Sequence, residues 1–231
     1  MAALAVMEEG LTGLVLFTVA VAALSTALIL VPGVAAAYAL SRWRGPGRGV
    51  VETVLALPLV LPPTAVGLVL LELLARDSVL GRFLDSVGVE VVFTPKAVVL
   101  ASAVMAFPLL VRSARAGFEE VDPRLVAVAR TLGDTRTRAF FRVTLPLAWR
   151  GVLTGALLAF SRALGEFGAT VLVAGNIPGR TQTLSLAIFQ RTQVGQDADA
   201  LKLAGVAVLL AFGAMYATEV VTRRRGARGL A

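Results

Sequence analysis

The chain reads as an all-α integral membrane protein with about five transmembrane helices. Hydrophobic residues make up 57% of its 231 residues, the mean hydropathy is +0.82 and only 16% of residues are charged. A soluble domain cannot hide that much apolar surface. Five stretches read as spans on a rise of about 1.5 Å per residue: Leu11–Leu40, Val50–Leu74, Ala97–Val111, Val152–Ala174 and Leu201–Val221. The arginines fall in blocks between these stretches, as membrane topology places them, so nucleic acid is a poor partner.

Each span carries its own marker. Leu11–Leu40 is too long for the apolar core of a signal peptide, and Glu8 and Glu9 stand where a basic leader would begin. Its Pro32-Gly33 predicts a tilt or kink. Val50–Leu74 contains Pro58 and Pro62-Pro63, tolerated where neighbouring helices satisfy the freed carbonyls or the backbone lines a cavity. Ala97–Val111 is the shortest, and Phe107-Pro108 predicts a bend near its end. Val152–Ala174 holds Arg162 and Glu166 in its middle. Leu201–Val221 holds Glu219, which snorkels to the interface or meets the basic tail.

Charge orients the spans. Arg42, Arg44 and Arg48 fill the first connection, eight arginines lie between Arg112 and Arg150, and Arg223, Arg224, Arg225 and Arg228 form the tail. All these fall on one side of a five-span chain. Glu8, Glu9, Asp77, Asp85, Glu90, Asp197 and Asp199 fall on the other. The positive-inside rule puts the amino terminus outside and the carboxyl terminus in the cytoplasm of a multi-pass plasma or inner-membrane protein.

What is missing narrows the chemistry. The absence of cysteine and histidine excludes disulfides, thiolate catalysis, histidine acid–base work and most zinc sites. Lys96 and Lys202 are the only lysines, and neither follows a glycine-rich phosphate cradle. ATP-driven work would therefore need a separate ATPase. No catalytic or metal-binding residue set is expected.

The polar insert of residues 112–150 is the most informative segment. A short apolar helix over Leu125–Leu132 would end at Gly133 in a left-handed cap, with Asp134 starting the next helix. Arg136, Arg138 and Arg142 would then face an acidic partner or lipid headgroups. The plainer alternative is a basic loop that only sets topology. The insert resembles the cytoplasmic coupling loop of ABC-importer permeases, with Ala127, Ala129, Gly133, Val143, Leu145 and Pro146 on the family spacing. Ala127 stands where the family has glutamate and Val128 where it has alanine.

A second constellation is Arg162-Ala163-Leu164-Gly165-Glu166-Phe167-Gly168. Intramembrane charges are costly enough to be functional candidates by default. Arg162 and Glu166, four residues apart, can pair. They either line or gate a translocation path, or lock the helix to a neighbour, with Gly155, Gly165 and Gly168 permitting close approach. The third is the outer turn, where Asn176, Pro178, Arg180, Thr181 and Thr183 could meet a binding protein or an anion.

With Gly165–Thr170 and the proline-rich residues 57–74 and the turn over Asp77–Arg82, this run resembles the molybdate-transport permeases over about residues 50–189. The resemblance implies one permease domain over 1–231 with a type I ABC-importer (MetI-like) fold, working as a homodimer. It implies two cytosolic ATPases carrying ATP and magnesium, an external molybdate-binding protein, lipid around the bundle and no cofactor in this subunit. The cargo would be molybdate or tungstate. A sulfate or thiosulfate permease is the nearest alternative. A secondary carrier would need midplane carboxylates and an inverted repeat, and a membrane enzyme would need a catalytic set; neither is visible.

Overall fold

Helices are placed here by where proline and glycine allow or forbid them. The structure is a computed structural model that describes the backbone of residues 2–226 and the side chains of residues 10–216 and 219. Glu8, Glu9, Arg223, Arg224, Arg225 and Arg228 therefore lie outside the described side chains. In order come α1 (Ala2–Arg42), α2 (Arg48–Val60), α3 (Pro63–Leu74), α4 (Val79–Ser86), α5 (Pro95–Glu119), α6 (Pro123–Thr131) and α7 (Arg136–Ala139). A π turn (Phe140–Thr144) leads into α8 (Leu145–Leu164), then α9 (Gly168–Val173), α10 (Leu184–Gln193) and α11 (Asp197–Gly226).

Among the described residues, four helical stretches are long and apolar enough to cross a membrane: Gly10–Arg42, Pro95–Glu119, Arg136–Leu164 and Asp197–Tyr216. The pair α2 and α3 makes a fifth, bent by 108°. That bend corrects the continuous span expected over Val50–Leu74. Neither Pro62 nor Pro63 has an N–H to donate, and Leu61 before them is driven to extended backbone (φ −67°, ψ 146°), so the helix must stop. Pro63 then restarts it as the first residue of α3. The expected Val152–Ala174 span is broken too, because Gly165, Glu166 and Phe167 leave the helix between α8 and α9.

Two other prolines do less than the sequence suggests. Helix α1 runs unbroken through Pro32, and α5 runs unbroken through Pro108 and continues to Glu119. Gly33 is a packing seat: a Cβ there would meet Leu110 Cδ2 of α5 at 2.5 Å. Asp77–Arg82 is the start of a capped helix, with Ser78 Oγ accepting from the Gly81 N–H, and the connection after residue 174 holds α10.

Helix α5 is the centre of the bundle, with Ala103, Ala106, Leu110, Val111 and Ala114 buried against α1 and α8. Small residues bring the backbones together, as is usual where lipid supplies no hydrophobic drive between helices. A Cβ on Gly151 would lie 2.7 Å from Gly117 Cα, and one on Gly155 would lie 2.9 Å from the Leu110 carbonyl. Ser113 Oγ donates to the Gly151 carbonyl at 3.0 Å across the same contact.

The two ends of the bundle differ. At one, Tyr38, Phe118 and Phe140 pack edge-on or tilted, with centroids 5.4 and 4.8 Å from Tyr38, and the Arg42 guanidinium lies 5.5 Å from the Tyr38 ring. This joins the end of α1, the end of α5 and the start of the π turn. At the other, the Leu184 N–H donates to Thr18 Oγ1 and the Phe93 N–H to the Val173 carbonyl, each at 3.0 Å. The arginine-rich first and third connections thus share one end, as the charge pattern requires.

Candidate functional site

The polar insert folds as a capped helical hairpin, shorter than residues 112–150 because α5 takes its beginning and α8 its end. Pro123 opens α6 with Asp122 as its cap, the carboxylate accepting from the Arg124 N–H at 2.8 Å. At the far end the Gly133 N–H reaches the Arg130 carbonyl and the Asp134 N–H reaches the Ala129 carbonyl, both at 3.1 Å. With Gly133 at φ +97°, this is the paired-bond left-handed terminus expected at that residue. The next helix is capped by Thr135, not Asp134: Thr135 Oγ1 accepts from the Arg138 N–H at 3.2 Å. Asp134 instead turns its carboxylate to Arg142 (3.5 Å) and Arg138 (3.8 Å), so both arginines already have a loose partner.

The hairpin has an inward and an outward side. Ala129, Ala139 and Thr144 are buried, and Val126, Phe140 and Leu145 rest on the core. Leu125, Ala127, Val128, Leu132 and Phe141 are exposed, Leu132 at 83%. Four bulky apolar residues on a polar hairpin form a face suited to a protein partner. Val143 lies on the widened turn Phe140–Thr144, and Leu145 and Pro146 open α8 directly after it. Pro146 cannot donate to a carbonyl one turn back, and the Leu145 N–H bonds instead to the Phe140 carbonyl five residues earlier. Thr144 Oγ1 is left buried without a hydrogen-bond partner.

The charged constellation lies at the break between α8 and α9. Arg162 NH1 is 2.7 Å from Glu166 Oε2, with the Glu166 side chain 1% exposed and that of Arg162 26%. The contact is an ion pair by distance, outside well-aligned hydrogen-bond geometry. Glu166 Oε1 accepts from the Ala169 N–H at 2.8 Å and so fastens the first turn of α9. Gly165 is exposed, with open space where a side chain would go. A Cβ on Gly168 would meet Pro63 Cβ at 2.7 Å, and one on Gly67 would meet the Ala169 backbone at 2.8 Å. The second halves of both broken spans, α3 and α9, therefore interlock through Pro63, Gly67, Gly168 and Ala169. Sequence reading found Gly168 but missed Gly67, whose role depends on a contact a hundred residues away.

The turn after α9 is mostly self-satisfied. Thr181 and Thr183 are buried: Thr181 Oγ1 accepts from the Ile177 N–H at 3.0 Å, and Thr183 caps α10. Asn176 accepts from Gln182 at 3.0 Å. Pro178 and Arg180 are exposed, and Arg180 lines an open cleft of about 1170 Å³ with Gln182, Gln190, Arg191, Asp199 and Lys202. Of the turn's candidate residues, the two threonines hold the fold and Pro178 and Arg180 are available outside it.

Sequence reading also missed Glu52, Arg115 and Glu119, which with Arg48 form a charged ring at the hairpin end. The signal was an arginine four residues before a glutamate, twice. Among the described residues no cluster of acidic side chains could hold a metal ion.

The chain is similar to the molybdenum transport system permease protein ModB of Escherichia coli K12, 41% identical over 211 residues, covering 90% of this chain and 92% of that protein. The putative molybdenum transport system permease protein YvgM of Bacillus subtilis is 42% identical over 178 residues, covering 77% and 78%. The sulfate transport system permease protein CysT of Salmonella typhimurium is 34% identical over 196 residues, covering 85% and 71%. Among solved structures, the inward-facing MetNI methionine ABC transporter superposes with a TM-score of 0.73 at 18% identity, covering 94% of this chain and 97% of that one. A bacterial ABC transporter that imports alginate gives 0.72 at 16% identity, covering 94% and 80%. Residues 29–221 match the family described as binding-protein-dependent transport system inner membrane component, and the chain belongs to that family.

Proposed function

We propose that this chain is the permease subunit of an ATP-driven importer for molybdate, acting as a homodimer. The observation that carries the coupling role is the hairpin: a helix rigidly capped at both ends that presents Leu125, Ala127, Val128 and Leu132 outward from the basic end of the bundle. Two cytosolic ATPases, which bind ATP and magnesium, dock on these faces, and this subunit performs no covalent chemistry. The arginine distribution supports an amino terminus outside and a carboxyl terminus inside.

Transport in this reading is a change of access. Closure of the ATPases moves the hairpins, which continue through the π turn into α8 without a flexible joint. The break at Gly165–Phe167 and that at Leu61-Pro62 are where the spans can rearrange. Arg162 provides a partly exposed cation at the first break, suited to a passing dianion. Pro178 and Arg180 on the opposite end offer contacts for a molybdate-binding protein. Identities of 41–42% to molybdenum permeases against 34% to a sulfate permease favour molybdate over sulfate.

Uptake of labelled molybdate into vesicles holding the assembled complex tests the cargo. Unlabelled tungstate should compete and sulfate should not. Equal competition by sulfate would assign the subunit to sulfate import instead.

A further inference from the structure

Four side chains close a ring at the hairpin end. Arg48 Nε lies 2.6 Å from Glu52 Oε1, and its NH2 lies 2.6 Å from Glu119 Oε1. Arg115 NH1 lies 2.7 Å from the same oxygen of Glu52, and its Nε 2.9 Å from that of Glu119. Each arginine therefore touches both glutamates. Two contacts run within α2 and α5, in the order that gives the weaker pair at four-residue spacing. The other two tie α2 to α5 across 71 positions of sequence in one case and 63 in the other, since they join Arg48 to Glu119 and Arg115 to Glu52.

The ring sits where α2 has few other anchors. No residue of α2 is fully buried, and only Val51 and Leu55 lean on the core. Helix α2 also stands at 108° to α3, so packing of α3 does not fix it. Glu119 is the last residue of α5, three positions before the Asp122 cap of α6. Beyond the bend, α3 grips α9 at Gly67 and Gly168, next to Glu166.

We propose that Arg48, Glu52, Arg115 and Glu119 are positioning residues for coupled transport: the ring passes displacement of the hairpin to α2 and so to the bend at Leu61-Pro62. The proposal rests on α6 being the ATPase-docking helix.

Charge inversion tests it in the complete complex in proteoliposomes. Arg48→Glu with Glu52→Arg keeps the pair within α2 but faces like charges across to α5. Hydrolysis stimulated by the loaded binding protein should persist, while molybdate imported per ATP falls about tenfold. Adding Arg115→Glu and Glu119→Arg makes every contact attractive again and should restore that ratio to within about twofold of wild type. Should the half-inverted chain fail to assemble, Glu119→Gln, which takes the charge out of two ion pairs and removes no bulk, carries the same forecast. Normal coupling in the half-inverted or Glu119→Gln chain, or no recovery on full inversion, would overturn the proposal. Loss of ATPase co-purification from a Leu132→Asp chain is the separate check on the docking helix, and its absence would remove the premise instead.

Discussion

At the scale of single residues, the break between α8 and α9 depends on Glu166 serving two partners. One oxygen faces Arg162 and the other holds the Ala169 N–H. Glu166→Gln keeps the bond to the backbone and loses only the ion pair, whereas Glu166→Ala loses both and strands the arginine. The alanine variant should be less stable than the glutamine variant by about 1–3 kcal/mol, measured by thermal unfolding in detergent. Adding Arg162→Met to Glu166→Gln separates the two roles left open by sequence. If the pair is only structural, stability and uptake both recover. If Arg162 meets the cargo, stability recovers and uptake does not. Thr144 makes the opposite forecast, because its buried hydroxyl has no partner. Thr144→Val should be neutral or stabilising by up to about 1 kcal/mol. Gly67→Ala should be poorly tolerated, since the clash is with Ala169 backbone and no side chain can yield.

At the scale of elements, the hairpin is held by its caps. Gly133 lies at φ +97°, and a β-branched side chain there costs about 1–2 kcal/mol and opens the turn that sets the angle between α6 and α7. Gly133→Val should insert normally yet co-purify with less ATPase or hydrolyse ATP without transport; wild-type uptake would reduce the hairpin to a topological device. Gly133 and Pro146 were legible in the sequence because each acts through its own backbone: a left-handed terminus needs glycine, and a missing N–H widens the turn before it. The breaks were less legible. Hydropathy over Val50–Leu74 and Val152–Ala174 reports only that residues are apolar, not that one helix continues through them. Pro62-Pro63 was the visible mark of the first break, while Pro32 and Pro108 carry the same chemistry and break nothing. What differs is the doubling at 62 and 63, which removes two consecutive donors. The ring of Arg48, Glu52, Arg115 and Glu119 was illegible as a unit because half its contacts cross between helices.

At the scale of the molecule, span number and the pairing of the two arginine-rich connections at one end followed from hydropathy and charge, and the fold bears both out. Sidedness is open to direct test because the chain has no cysteine. Single cysteines at Ser41 and Thr135 should resist an impermeant thiol reagent in intact cells, and one at Asp199 should react. Labelling of the Thr135 position from outside would reverse the topology and remove the hairpin from any cytosolic partner. The central claim is ATP-driven import through this subunit. Its most direct measurement is accumulation of labelled molybdate in proteoliposomes of the full complex, with loaded binding protein outside and ATP sealed inside. Uptake should require both and stop when the ATP is replaced by a non-hydrolysable analogue. Uptake by the permease alone, or driven by an ion gradient without ATP, would contradict it.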